Sequence, residues 1–334
     1  MSATASPRRT AVVVAAVIVL LVAAVLLSLT VGARAVPPAV VWRALTAPDP
    51  SNADHVVILT QRIPRTVIAV CAGGALALAG TVMQGLTRNP FADPGLLGIN
   101  AGASLAVLTA ITLLHVASPS GFVWFAFGGA AIAALVVAGR GQEGGSPAKL
   151  ALTGAAVTAG LTSITFLVLT TDIRALDVYR YWSVGGLTAR GLDSVALVAP
   201  AIVAGAVLAL IGARGLDLLA LGTDTAAGLG HRAGRSRAIG ITATILLCGG
   251  ATAIAGPIGF LGLLVPHALR ALVGGSYRRL LPLGIPVGAA VLLLSDVAGR
   301  VIALPGEVQA GIVVAFLGAP MLIGLVLHRR PVAL

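Results

Sequence analysis

The side chains best suited to metal or proton chemistry in this sequence are five histidines, His55, His115, His231, His267 and His328. None of them is spaced as a metal-ligand pair. No Ser, His and Asp fall into an arrangement that argues nucleophilic catalysis. Phosphate chemistry needs Gly-x-x-x-x-Gly-Lys-[Ser/Thr], with the lysine reaching the phosphates. Lys149 is the only lysine, and Leu150 follows it, so any energy for work comes from a partner or an ion gradient. Asp296 and Arg300 lie four apart, on one helix face, and read as a salt bridge. Thr158, Thr162 and Thr165 fall at i, i+4 and i+7 and share a face. Such hydroxyls commonly bond back to their own helix.

Two polar segments interrupt the apolar sequence. In "GTVMQGLTRNPFADPGLLGINAG", Gly80 to Gly102, an oily run breaks into Thr-Arg-Asn-Pro-Phe-Ala-Asp-Pro and resumes at once. Pro90 and Pro94 donate no backbone hydrogen bond and disfavour helix at the residue before each. The sequence therefore predicts a short elbow between two helices. Asp93 sits near the start of the second, where the helix dipole favours an anion, and Arg88, Asn89 and Asp93 are expected to fix the elbow's shape by polar contacts. The segment 214–237 is too polar to span a membrane. Gly222, Gly228, Gly230 and Gly234 allow sharp turns there. Its "TDTAAGLG" predicts a short helix capped by Thr223.

The elements that position these residues are set by composition. Of 334 residues, 58% are hydrophobic and 10% charged, against roughly 25% charged in soluble domains. The 42 glycines suit close helix packing in lipid. Net charge is +11, but the arginines are scattered through short gaps, which argues against nucleic acid. Cys71 and Cys248 lie inside apolar runs and read as free thiols.

A membrane-spanning helix needs about 20 apolar residues. Thr10 to Ala33 is longer than the apolar core of a signal peptide, about 7–15 residues, and reads as a span. Thr66–Thr87 follows. Pro94–Gly139 is long enough for two spans and breaks near His115. Leu150–Thr171, Ser194–Ala213, Ala238–Ala255, a shorter run ending near Arg270, Leu280–Ser295 and Val308–Leu327 complete about ten helices in one transmembrane domain, residues 1–334. An even number puts both termini on one side. That side would hold Arg8, Arg9, Arg88, Arg140, Lys149, Arg214, Arg232, Arg235, Arg237, Arg270, Arg278, Arg279, Arg329 and Arg330, with Asp93, Glu143, Asp217 and Asp224. This is 14 of the 22 basic residues, so the termini are expected in the cytoplasm. Arg174, Arg180 and Arg190 run against the trend. Arg62 and Arg65, before the second span, and Arg300, at the end of the ninth, fall together on the opposite side, where arginines commonly snorkel to the interface.

Three stretches carry a resemblance. "RIPRTVIAVCAGGALALAGTVMQGLTRNPFADPGLLGINAGAS", "LGTDTAAGLGHRAGRSR" and "AGPIGFLGLLVPHALRALVGGSYRRLLPLGIPVGAAVLLLSDVAGRVI" resemble the FecCD family, permeases of iron-siderophore, haem and vitamin B12 ABC importers. Where that family has Glu-Leu-Pro-x-Gly before the last helix, this chain has Glu307-Val308-Gln309-Ala310-Gly311. The resemblance implies an all-α, type II ABC importer permease in the inner membrane. It implies a second permease subunit around a central path, two ABC ATPase subunits on the cytoplasmic face and an extracytoplasmic substrate-binding protein. The cargo would be ferric siderophore, with haem or cobalamin as the alternative. No cofactor would be held by this chain, and ATP with Mg²⁺ would sit in the partner ATPase. By the same resemblance Thr158, Thr162, Thr165 and Asn100 line the path. Asp224, Ala226, Leu229 and Gly230 in the loop 214–237, with Arg88, Asn89 and Asp93 of the elbow, face the ATPase, and Arg62, Arg65 and Arg300 dock the binding protein. From the residues alone an ion-coupled transporter stays open. Such proteins keep an ionisable group at mid-membrane, and Asp296 is the one exception in nearly charge-free runs.

Overall fold

The computed structural model describes residues 7–116, 118–141, 147–188 and 190–328. Glu143, Arg329 and Arg330, assigned above to the side of the termini, lie outside the described residues. The described chain is helical, in the order α1 (Pro7–Thr30), α2 (Pro38–Thr46), α3 (Ala53–Val57), a π-helical turn (Ile58–Arg62), α4 (Ile63–Thr87), a 3₁₀ turn (Pro94–Leu97), α5 (Ile99–Leu113), α6 (Pro119–Gly141), α7 (Pro147–Thr171), α8 (Ile173–Ser183), α9 (Leu192–Ala220), α10 (Thr223–Gly228), α11 (Ala233–Ala255), α12 (Leu261–Val273), α13 (Tyr277–Ile302) and α14 (Ala310–His328). Among the described residues, seven spans are long and apolar enough to cross a membrane, and α5, α12 and α14 contribute shorter apolar stretches. These ten are the ten runs read from the sequence.

Helix α4 is the axis of the bundle. In its span, Ala53–Thr87, 83% of the most apolar window is buried, against 11% in α7. It packs on α9, α11, α12 and α13. No hydrophobic force drives helices together within lipid, so association relies on close van der Waals fit and small residues. Here two glycine pairs bring backbones into contact. A Cβ on Gly73 would lie 2.4 Å from the Gly288 carbonyl oxygen of α13, and one on Gly80 would lie 2.0 Å from that of Gly262 in α12. Cys71 and Cys248 are free thiols.

Three short helices, α2, α3 and α8, were not read from the sequence. Two of them have side-chain caps. Asn52 accepts hydrogen bonds from the backbone N–H groups of Asp54 and His55, and Asp172 accepts them from Arg174 and Ala175. The turn at Glu307–Gly311 lacks the family's proline and is pinned by backbone bonds instead. Val308 N–H donates to Gly299 O and Gly311 N–H donates to Gly185 O, both at 3.0 Å.

Replacing Gly80 with Ala is expected to destabilise the folded bundle by about 1–3 kcal/mol, the usual cost of overpacking. Gly139→Ala, where the added methyl meets open space, should stay within about 0.5 kcal/mol. Thermal unfolding in detergent compares the two. Equal midpoints would refute the close-contact account.

Candidate functional site

Polar side chains gather at the two ends of the bundle, and one helical face between them stands uncovered. At the first end, Arg65 at the start of α4 donates to Asp296 at 2.7 Å and to Glu307 at 2.8 Å. Asp296 also accepts from Arg300, one turn further along α13. Arg300 reaches on to the backbone oxygens of Ser28, at 2.8 Å, and Val31, at 3.2 Å. Arg62 donates to Leu29 O at 2.7 Å and to Arg34 O. The last carbonyls of a helix have no partner within it and carry partial negative charge. Arg62 and Arg300 therefore close the C-terminal end of α1.

This placement corrects the picture of three arginines at the surface. Arg62 is 6% exposed and Arg300 3%, because the open end of α1 and Asp296 consume their donors. Of the network, Glu307 is the most open member. A cavity of about 370 Å³ beside Arg65 is also lined by Thr60, Gln61, Thr188 and Arg190. Arg190, in the loop before α9, has no carboxylate partner among the described residues, and burial pushes its pKa down to about 10.

At the opposite end the elbow follows α4. Arg88 takes a left-handed conformation, φ 52°, and stops the helix. Asn89 accepts from Phe91 N–H and Asp93 from Gly95 N–H, at 2.9 and 2.8 Å. Burial raises the pKa of Asp93, and the Gly95 bond opposes the rise. Asn89 and Asp93 thus hold the elbow through their side chains, and Arg88 through its backbone. The turn that ends the elbow packs on α7, and the Arg88 side chain reaches toward the chain before α10. A Cβ on Gly154 of α7 would sit 1.6 Å from Leu96 O, and one on Gly222, just before α10, would lie 4.0 Å from Arg88 Nη1.

The loop from α9 to α11 runs beside it. Asp224, Leu229 and Gly230 are exposed. Ala226 is fully buried, so it supports α10 from within and is not presented to a partner. Nor does Thr223 cap α10. Gly222 holds that position at φ 105°, with no side-chain bond, because the chain reverses there in a conformation that only glycine adopts readily.

Behind the loop lies a network missed in the sequence. Asp217 of α9 accepts from Tyr277 N–H at 2.7 Å and from the Ser276 hydroxyl at 3.2 Å, capping α13. Arg270 of α12 donates to Gln84 of α4, and Gln84 donates to Gly262 O at 3.4 Å. The available signal was Ser276 followed by a helical run, which marks a helix start needing an acceptor.

On α7 the three threonines divide. Thr162 is exposed beside Ser163 and Phe166, Thr158 is half-buried, and Thr165 is buried with its hydroxyl donating to Leu161 O at 2.9 Å. The boundary of the covered face runs between Thr162 and the other two. Asn100, in the first turn of α5, accepts from the Thr252 hydroxyl of α11 at 3.1 Å. Among the described residues, no three His, Cys, Asp or Glu side chains form a ligand set.

Among the described residues, ten apolar helices with ion-pair networks gathered toward two ends make an all-helical, multi-pass membrane bundle. The chain belongs to the FecCD transport family, whose profile matches residues 20–328. It is 45% identical over 307 residues to the ferric enterobactin transport system permease protein FepD of Escherichia coli (strain K12), covering 91% of each chain. It is 40% identical to the Fe(3+)-citrate import system permease protein YfmD of Bacillus subtilis (strain 168), again covering 91% of each. Among solved structures, a metal-chelate type ABC transporter in an inward-facing conformation superposes with a TM-score of 0.80 at 26% identity, covering 94% of this chain and 98% of that one.

Asp296→Ala leaves Arg65 and Arg300 buried without their shared carboxylate, and is expected to cost about 3–5 kcal/mol. Glu307→Gln, at the open edge, should cost at most about 1 kcal/mol. Thermal unfolding of the two variants checks the order. A Glu307 effect equal to that of Asp296 would refute the arrangement.

Proposed function

We propose that the chain is the permease subunit of an ABC importer that carries ferric siderophore across the cytoplasmic membrane, driven by ATP hydrolysed in partner subunits. The observation that carries the reading is the elbow. Its last turn packs on α7, the most exposed span among the described residues, and its Arg88 side chain reaches toward Gly222 before α10. A push on the loop is thereby delivered to the helix that a central path would use. The iron-chelate permeases similar to this chain support the cargo class.

In this reading the end bearing α10 is cytoplasmic, as are both termini, because the basic residues concentrate there. ATPase subunits meet Asp224, Leu229 and Gly230, with Arg88 at the edge. Asn89 and Asp93 keep the elbow rigid, and Ala226 holds α10 in place. A second permease subunit covers α7, and Thr162 and Thr158 give the path hydroxyls that do not grip a polar chelate. Asn100 orients α5 beside them, and Thr165 anchors the face. The binding protein docks at the opposite end, where a carboxylate of the partner replaces Glu307 on Arg65, the least buried of the three arginines, and Arg62 and Arg300 set its position. Arginine holds carboxylates in a planar fork, while exposed pairs are worth about 0–1 kcal/mol each. Such contacts speed encounter without trapping the complex. The chain itself binds no cofactor, and nucleotide with Mg²⁺ stays in the ATPase.

The test is uptake of iron-55-labelled ferric enterobactin by a strain lacking the native permease and carrying this chain with its ATPase. Uptake is expected with the intact protein and should fall to background when the ATPase is catalytically inactive. Leu229→Asp should abolish ATPase association in pull-down while the permease stays in the membrane fraction. Uptake that persists with an inactive ATPase would overturn the reading.

A further inference from the structure

A cavity of about 540 Å³ opens between the end of α9 and the start of α11, and its rim shares Leu229 and Gly230 with the surface proposed above for the ATPase. From α9 it is lined by Ile211, Arg214 and Leu218, and from the start of α11 by Arg232, Arg235 and Ile239, so each wall carries both arginine and apolar side chains. All three arginines are exposed, and no carboxylate lies within ion-pair distance of them among the described residues. Asp217, one turn from Arg214, is already taken by Ser276 and Tyr277. Three free guanidiniums around one cavity call for an anion.

The apolar lining says which kind. Val203, Val207, Leu210 and Ile211 are exposed and recur at helical spacing along α9. They form a stripe that descends through the uncharged run and ends at Arg214. On α11 the charges stop at Arg237, and the uncharged run begins at Ala238. The cavity therefore sits at the level where lipid headgroups meet hydrocarbon, with a greasy track leading into it from the membrane side. A soluble anion would have no use for that track. Basic pockets between transmembrane helices on the cytoplasmic side suit anionic headgroups, and arginine pairs with phosphate in a bidentate fork.

We infer that this cavity is a binding site for an anionic phospholipid, its phosphate held by Arg214, Arg232 and Arg235 and an acyl chain lying along Val203, Val207 and Ile211. The site is independent of the cargo, rests on the membrane orientation proposed above, and shares Leu229 and Gly230 with the ATPase-facing loop.

Native mass spectrometry of the full chain in detergent, incubated with dioleoylphosphatidylglycerol or dioleoylphosphatidylcholine, tests it. The anionic lipid is expected to be retained at least about tenfold more. Each arginine near a membrane surface contributes roughly a fivefold factor. Arg214→Gln with Arg232→Gln and Arg235→Gln should thus weaken retention about a hundredfold, and the triple Lys variant should keep most of it. Where the triple Gln variant does not fold, Arg235→Gln alone is expected to lose about fivefold. Inorganic phosphate at the lipid's concentration should not compete. Equal retention of both lipids, or retention unchanged in folded Gln variants, overturns the proposal. Competition by inorganic phosphate assigns the cavity to a soluble anion, and displacement of the lipid on assembly with the ATPase assigns it to that partner. Either result overturns the lipid site.

Discussion

Backbone contact between glycines is the constraint on which this fold rests. Water drives apolar helices together in a soluble protein, but lipid tails are as apolar as the helices themselves. Helix α4 gains its neighbours by letting their backbones come close, at Gly73 with Gly288 and at Gly80 with Gly262. Any side chain at these points would hold the helices apart and forfeit dispersion contacts along their length. The same helix carries polar groups into both ends, Arg62 and Arg65 at its start and Gln84 near its finish. It is thus a rigid strut whose two ends are tied to different partners.

The two ends are built on opposite uses of helix termini. At the first, arginines supply donors to the unpaired carbonyls closing α1. At the second, Asp217 supplies an acceptor to the unpaired N–H groups opening α13. Arg62 and Arg300 at the closing carbonyls of α1, and Asp217 at the opening N–H groups of α13, stand where a helix dipole welcomes them, which lets these charges be buried close to the hydrocarbon without isolation. Among the described residues, the ion pairs lie toward the ends of the bundle, so a helix can shift in its middle without breaking one.

Spans were legible in the sequence because length and absence of charge decide them. The elbow was legible because two prolines and an Asx residue act locally. What the sequence concealed was set by tertiary contact. Arg62 and Arg300 look like interface arginines until α1 is placed against them. Ala226 looks like any loop residue, yet it is the one α10 side chain turned inward. The spacing of Thr158, Thr162 and Thr165 indicated a common face, but not that the packing boundary crosses it. Helices α2 and α3 are too short for a periodic signal, whereas α8 announces itself by its cap Asp172 and by Ala175, Tyr179 and Trp182 at helical spacing, and α3 only by its cap Asn52.

The closure of α1 has a consequence for how the chain is made. Ser28 and Arg300 are 272 residues apart. At about 5–20 residues added per second, tens of seconds separate the synthesis of the carbonyl from that of its donor. Arg62 arrives early, 33 residues after Leu29, and takes that carbonyl, but the Ser28 and Val31 carbonyls wait for α13 throughout the interval. Arrival of α13 then supplies Arg300 to α1 and Asp296 to Arg65 in a single docking step. A nascent chain truncated before α13 lacks both, so the buried ion network doubles as a record that translation has reached the end of the transport domain.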